Sequence, residues 1–314
     1  MYPTLYHAIA DLFGIEIHFL KVVQSFGFFV ALAFLIGSYF FAMEMKRKEA
    51  LGLLHSSSTK ILVGQKASIA DLILSGLLGF ALGYKILYIA LDFTAFTNDT
   101  QGFLLSMKGN FIGGIAGAAI AAYLKYREKE KEKLPEPQWK DQVMRPHEHV
   151  GNMTLIAAIS GILGAKIFHN LENIDDFMAD PVDALLSFSG LTMYGGLIFG
   201  SIAVLMYARK HKLNLLHVTD ACAPALMLSY AIGRIGCQVS GDGDWGIVNS
   251  APKPSWLSFL PDWMWSFNFH NNVNKVCNPY QEQTQQWLDC NCNWKETPYL
   301  IENVYPTPFY EVIM

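Results

Sequence analysis

Apolar and polar positions alternate in long blocks along this chain. Six apolar stretches run approximately Val22–Met43, Ile69–Leu91, Phe103–Leu124, Met153–Leu171, Ala184–Tyr207 and Val218–Gly236, and a seventh begins near Thr307. A helix needs about 20 apolar residues to cross the hydrocarbon of a bilayer, because a backbone amide left unpaired in lipid costs several kcal/mol. The pattern therefore predicts an all-α, multi-span transmembrane helix bundle of six complete spans plus the start of a seventh, forming a single integral membrane domain over residues 1–314. The chain stops at Met314, before the seventh span is complete. The first apolar run follows a segment containing Asp11 and Glu16 with no basic flank, so it reads as a retained helix and not as a signal peptide.

Lys and Arg in the connections predict orientation. Lys46, Arg47, Lys48 and Lys60 follow the first span. Lys125, Arg127, Lys129, Lys131, Lys133 and Lys140 follow the third, and Arg209, Lys210 and Lys212 follow the fifth. Those three loops are expected on the cytoplasmic side. The connections between them are acidic, with Asp92 and Asp99 in one and Glu172, Asp175, Asp176, Asp180 and Asp183 in the other. The amino terminus and the polar insertion over 239–303 then fall outside. That insertion carries Cys277, Cys290 and Cys292, whose spacing suits a disulfide or free thiols better than a metal site. It is also rich in Trp and Asn, as expected of a flap on the outer interface or a platform for a peptide.

Composition narrows the function classes. Apolar residues make up 52% and charged residues only 16%, against roughly 25% charged in soluble domains. The net charge of −4 leaves no basic field to neutralise phosphates, so nucleic acid is not an expected partner.

An internal repeat emerges at an offset of 81 residues. Leu82-Gly83-Tyr84-Lys85-Ile86 aligns with Leu163-Gly164-Ala165-Lys166-Ile167, and Gly109 with Gly190. After one inserted residue, Gly113-Gly114 meets Gly195-Gly196. The units, 67–128 and 149–210, are duplicated helix pairs of like orientation, a parallel repeat of the kind some transporters use. A repeat-built transporter is thus one reading, and glycines that simply let helices approach are another.

Ionisable residues inside spans need partners or tasks. Lys85 and Lys166 stand toward the outer ends of their spans, where a long side chain can snorkel to the interface. Arg234 differs. It ends an apolar helix within Tyr230-Ala231-Ile232-Gly233-Arg234-Ile235-Gly236-Cys237, followed at once by a loop containing Gly241-Asp242-Gly243-Asp244-Trp245-Gly246. A guanidinium at outer headgroup depth suits paired hydrogen bonds to a lipid phosphate, whereas an Arg–Asp pair closing the loop is the plainer alternative. Asp242-x-Asp244 lacks the further ligands that a calcium loop requires. Cys222 and Cys237 read as small packing residues. His147 and His149 read as a solvated segment before a helix.

Three blocks together resemble the prolipoprotein diacylglyceryl transferases. They are Leu191-Thr192-Met193-Tyr194-Gly195-Gly196-Leu197-Ile198-Phe199-Gly200, Gly233-Arg234-Ile235-Gly236 with its loop to Gly246, and Tyr305-Pro306-Thr307-Pro308-Phe309-Tyr310-Glu311. Gly164-Ala165-Lys166 and Gln24-Ser25-Phe26-Gly27 extend the likeness. The resemblance implies a seven-span enzyme of the bacterial cytoplasmic membrane with its active site toward the periplasmic face. Such enzymes move the diacylglyceryl group of phosphatidylglycerol to the lipobox cysteine thiol of a prolipoprotein, releasing glycerol phosphate. It implies no cofactor and no metal, and as partners phosphatidylglycerol, prolipoprotein lipobox peptides and membrane lipids.

The chain departs from the family pattern at several positions. Tyr194 stands for the family's His before Gly-Gly, Cys237 and Gln238 for Asn and Phe, and Ser240 with Asp242 or Asp244 for a later Asn and Glu. Phe26 matches an early Tyr, and Val304-Tyr305-Pro306 replaces Arg-His-Pro. The expected catalytic set is Arg234, Tyr194, Asp242 and Asp244, with Arg234, Gly195, Gly196, Gly246, Lys166 and Tyr310 contacting substrate. Arg234 would neutralise the leaving phosphate, an aspartate would take the thiol proton, and Tyr194 would donate a hydrogen bond. A catalytically altered, lipid-binding paralogue is the alternative.

Overall fold

The structure, a computed structural model, describes residues 1–93, 96, 103, 106, 108–135, 138–181, 184, 192–274, 300 and 302–314. Nine helices and one two-stranded ribbon account for the regular elements used below. They are α1 (Leu5–Phe13), α2 (Ser25–Ala50), β1 (Ser57–Val63), α3 (Ile69–Leu91), α4 (Phe111–Glu132), β2 (Gln138–Met144), α5 (Val150–Glu172), α6 (Ile174–Ala179), α7 (Met193–Lys210), α8 (Leu215–Ser240) and α9 (Thr307–Ile313). Among the described residues, four helical segments are long and apolar enough to cross a membrane: Ser25–Ala50, Ile69–Leu91, Pro146–Glu172 and Leu215–Ser240. They overlie the first, second, fourth and sixth expected spans.

Two expected spans start later than hydropathy suggests. Lys108–Asn110 is not helical, and α4 opens at Phe111 because the Asn110 side chain accepts from the Gly113 N–H at 3.1 Å. Such a cap satisfies an amide that has no partner inside the helix. α7 likewise opens at Met193, with Thr192 extended before it. The ribbon was not anticipated. β1 and β2 lie in two of the three basic loops read as cytoplasmic, and they pair antiparallel with Ser57 opposite Met144 and Val63 opposite Gln138.

The chain divides into two compact units. One comprises Met1–Glu44 with Asp220–Met314, the other Met45–Thr219. In the second unit the helices pair as α3 with α4 and α5 with α7. A methyl group at Gly83 would lie 2.2 Å from the Gly113 carbonyl oxygen, and one at Gly164 would lie 2.4 Å from that of Gly195. The backbone approach is therefore closed to any larger residue. Each pair also shares a backbone hydrogen bond: Asn110 N–H donates to Tyr84 O at 2.9 Å, and Thr192 N–H to Ala165 O at 3.1 Å.

Lys85 does not snorkel freely. Its ammonium donates to the carbonyls of Phe103 (3.0 Å), Ser106 (2.5 Å) and Lys108 (2.9 Å), fastening the turn that leads into α4. His149 is also unlike its expected solvated state. It is fully buried, within 3.0 Å of both Ser57 Oγ and Tyr207 Oη, and its ring centroid lies 4.7 Å from that of His211.

In the first unit, a methyl group at Gly37 of α2 would clash with Ser229 Oγ of α8 at 2.0 Å, and one at Gly236 would meet Phe29 Cβ at 2.9 Å. These glycines bring the start of α2, with Phe26 and Phe29, against the last turns of α8. Gly233 faces open space, so only Gly236 of the two glycines flanking Arg234 serves a close approach. A small core of Phe269, Leu300 and Val304, with Trp245, Val248, Phe267 and Met1 packed around it, supports the described part of the polar insertion. Trp245 thus packs on protein, its ring 5.3 Å from that of Phe269. Cys277, Cys290 and Cys292 lie outside the described residues.

Candidate active site

α8 carries Arg234 six residues before its end. Gly241 terminates the helix in the left-handed region, at φ 65°, with its N–H on Cys237 O at 2.9 Å. Gly243 turns again at φ 105°. Non-glycine residues avoid these angles, so the Gly-Asp-Gly-Asp sequence is what folds the loop back over the final turn. The fold-back delivers Asp244 to Arg234, and a carboxylate oxygen of Asp244 accepts from Nη1. The Arg–Asp pair weighed from the sequence therefore forms.

A second strap comes from the carboxy-terminal segment. Gly246 N–H donates to Tyr305 O at 2.9 Å, Tyr305 N–H to Ile247 O at 3.1 Å, and Thr307 Oγ to Asp244 O at 2.7 Å. A side chain at Gly246 would press on Thr307 Cγ2 at 2.8 Å, which explains the glycine. The strap starts α9 at Thr307 and so brings Glu311 to the guanidinium. Glu311 Oε2 is 2.7 Å from Arg234 Nε and accepts the Tyr230 hydroxyl proton. The Arg234 Nε–H is buried and not aligned on that oxygen, so the contact is coulombic and not a directed hydrogen bond.

Arg234 is thus clamped between two carboxylates with its side chain only 14% exposed, while Asp244 is 54% and Glu311 28% exposed. The Tyr230 ring lies one turn earlier, 5.9 Å from the guanidinium carbon. Neither Tyr230 nor Glu311 was in the expected site. The i, i+4 spacing of Tyr230 and Arg234, together with the Tyr-Glu pair in the last block, is the signal that would have found them.

Cys237 is not merely a packing residue, since Arg234 Nη1 lies 3.6 Å from its sulfur. Its Sγ and carboxylate oxygens of Asp242 and Asp244 all fall within 4.8 Å of one another. Those atoms are metal-ligand types, yet the guanidinium already supplies the cation for this cluster, which disfavours a second one. Asp242 has no cationic partner among the described residues, and its backbone carbonyl accepts from the Asn274 amide. Tyr310 donates its hydroxyl to Met264 O at 2.8 Å, which holds α9 to the loop. The amino terminus closes the underside: the Met1 amine donates to His270 O at 2.7 Å, and burial pushes that amine down to about 6.

Arg234, Asp242, Asp244, Gly246 and Tyr310 all belong to the first unit. Tyr194, Gly195, Gly196 and Lys166 belong to the second. There Tyr194 is exposed on the first turn of α7, Lys166 is half-buried on α5, and the two glycines face the α5 backbone.

The model of the prolipoprotein diacylglyceryl transferase family matches residues 130–314, more than half of the chain. The chain belongs to this family. Among relatives of this transferase family, the phosphatidylglycerol–prolipoprotein diacylglyceryl transferase of Leptospira interrogans is 31% identical over 161 residues, covering 44% of this chain and 47% of the relative. The enzyme of the same name from Clostridium tetani is 32% identical over 94 residues, 30% of this chain and 38% of its own length. A second such transferase, from Clostridium perfringens, is 36% identical over 91 residues, 29% and 36% of the two chains. The chain thus matches about half or less of each relative's length. No solved structure matches the chain. Family membership and the long apolar helices make it a multi-pass membrane protein of bacterial type.

Proposed function

We propose that the chain transfers the diacylglyceryl group of phosphatidylglycerol to the lipobox cysteine of prolipoproteins, at the outer face of the bacterial cytoplasmic membrane. The observation that carries this is Arg234, its side chain mostly buried near the end of an apolar helix within the residues that the family model matches. A positive group fixed there stabilises charge as it develops on a leaving phosphate without reorganising at the moment of reaction.

The acceptor sulfur bonds to the terminal glycerol carbon of the diacylglyceryl group, the bond from that carbon to the phosphate oxygen breaks, and glycerol phosphate departs with the electron pair. The thiol proton passes to a carboxylate. Arg234 begins fully neutralised, so an incoming phosphate must displace one partner. Asp244 is the more exposed of the two, and its exchange for phosphate on Nη1 leaves its carboxylate available. Asp242, which makes no ion pair among the described residues, is the other acceptor for the proton. A thiol with a reference pKa near 8.5 needs only modest help from such a base. For Tyr194, Gly195, Gly196 and Lys166 the assignment rests on the resemblance, with Tyr194 as a hydrogen-bond donor to phosphate or ester oxygen.

The same proposal includes six spans and the start of a seventh in α9, an outward amino terminus, and duplicated helix pairs at 67–128 and 149–210. The β1–β2 pairing supports a common side for the two basic loops, and the recurring glycine contacts support the duplication. Replacing the resident transferase of a depleted bacterium with this gene tests the function. Restored growth and lipoprotein lipidation are expected. A protein that binds phosphatidylglycerol yet never lipidates a peptide would instead be the altered paralogue that its Tyr194 and Cys237 departures suggest.

A further inference from the structure

The unit formed by Met45–Thr219 contains a cavity of about 430 Å³ lined by Lys46, Glu49, Ala50, Arg145 and His147. It lies where the last turn of α2 meets the turn that enters α5. Arg145 N–H donates to Glu148 Oε2 at 2.8 Å, and the buried Pro146 follows, so the approach to α5 is fixed by its own sequence. None of these residues belongs to the Arg234 cluster.

Lys125, Lys129 and Lys133 each find a glutamate three residues away on α4 or just past its end. Among the described residues, the Lys46 ammonium and the Arg145 guanidinium have no hydrogen-bond or ion-pair partner, although Glu49 lines the same cavity. Glu49 is turned elsewhere, with one oxygen 3.4 Å from Ser56 Oγ and the other 3.6 Å from His147 Nδ1. That nitrogen is buried and makes no hydrogen bond. Two unpaired cations therefore face one concave space beside His147, and its single acid, Glu49, is directed at Ser56 and His147 and does not neutralise them.

We propose that this cavity binds a phosphate group, carried either by an anionic lipid headgroup or by a free phosphate ion. A guanidinium fork and an ammonium point charge are the two side chains best matched to phosphate oxygens. A water occupies about 30 Å³ of liquid, so the space holds a phosphate together with an organic substituent. Lys46 closes one long apolar helix and Arg145 immediately precedes another. Basic residues flanking apolar helices of that length sit at headgroup level, where an anionic lipid can reach them.

The test titrates the full chain in neutral detergent with inorganic phosphate and with dioctanoyl phosphatidylglycerol, using dioctanoylglycerol as the control without phosphate. Wild type, Lys46→Gln/Arg145→Gln and Arg234→Ala are compared. Each lost charge-assisted contact weakens binding about tenfold, so a binding component present in wild type and in Arg234→Ala falls at least tenfold in the double variant. Loss of the lipid component alone assigns a headgroup, and loss of both components assigns the phosphate group itself. The single variants Lys46→Gln and Arg145→Gln, each weakened about tenfold, serve if the double variant does not fold. Unchanged binding in the Lys46 and Arg145 variants, or disappearance of all phosphate binding in Arg234→Ala alone, overturns the proposal.

Discussion

Replacing Glu311 by Ala tests whether α9 acts through Arg234. The substitution removes the oxygen 2.7 Å from Arg234 Nε and the acceptor of the Tyr230 hydroxyl. The Tyr230 hydrogen bond to this carboxylate, which ties Glu311 beside the guanidinium, is of the kind that contributes about 1.5–3 kcal/mol. Glu311 is partly exposed, so solvent screening favours the low end, about 1.5–2 kcal/mol. If that energy holds the guanidinium in its reactive position, kcat/KM for transfer to a lipobox peptide falls about 10- to 30-fold. Glu311→Gln keeps an acceptor oxygen but no charge, and recovers part of the loss. Asp244→Asn, at a more exposed pair, costs less than Glu311→Ala. Activity is measured with labelled phosphatidylglycerol on detergent-solubilised protein, with thermal unfolding of each variant as the folding control. The decisive arm repeats Glu311→Ala in an Arg234→Lys background, where a shared mechanism makes the two losses far less than additive. Equal losses in both backgrounds, or wild-type rates for Glu311→Ala, would refute the positioning role.

Three further outcomes follow from the packing and ionisation. Gly83→Val and Gly164→Val each push a side chain into a facing carbonyl, at 2.2 and 2.4 Å for the first carbon, and should destabilise the Met45–Thr219 unit by about 2–3 kcal/mol, read as a lowered Tm. Lys85→Met leaves three carbonyls without their cation and should lower Tm without changing the phosphate dependence of transfer, as steady-state kinetics would reveal. The buried Met1 amine has its folded value lowered from 8.0 to about 6, so the unfolded segment binds more protons between those limits. Its docking is fully favourable above pH 8 and weakens as pH falls toward 6, by on the order of 2 kcal/mol, and hydrogen exchange near Met1 and His270 should accelerate across that window.

Hydropathy located α3 to the residue and brought α5 and α8 within about four residues of their ends, because a lipid-facing helix must be apolar around most of its surface, but it stopped at Met43 while α2 continues through charged residues to Ala50. It gave no sign that α4 opens at Phe111 and α7 at Met193, because a hydropathy window does not register the Asn110 cap or the extended Thr192. The β1–β2 ribbon was illegible because its pairing is long-range and its strands sit among charged residues. Arg234 stood out as a charge in an apolar helix, and Asp244 as its neighbour in the loop. Glu311 lies 77 positions away in sequence from Arg234, and only the strap through Gly246 and Tyr305 brings them together. His149 looked solvated because its partners, Ser57 and Tyr207, are equally remote in sequence.

The account stands on Arg234 bearing the charge of the leaving phosphate. Its most direct test is a reconstituted reaction in which purified wild type and Arg234→Ala are given labelled phosphatidylglycerol and a lipobox peptide, and both the lipidated peptide and the released glycerol phosphate are quantified. The account predicts equal amounts of the two products from wild type and a loss of at least about 100-fold in both for Arg234→Ala. Turnover by the folded Arg234→Ala protein close to the wild-type rate would contradict it.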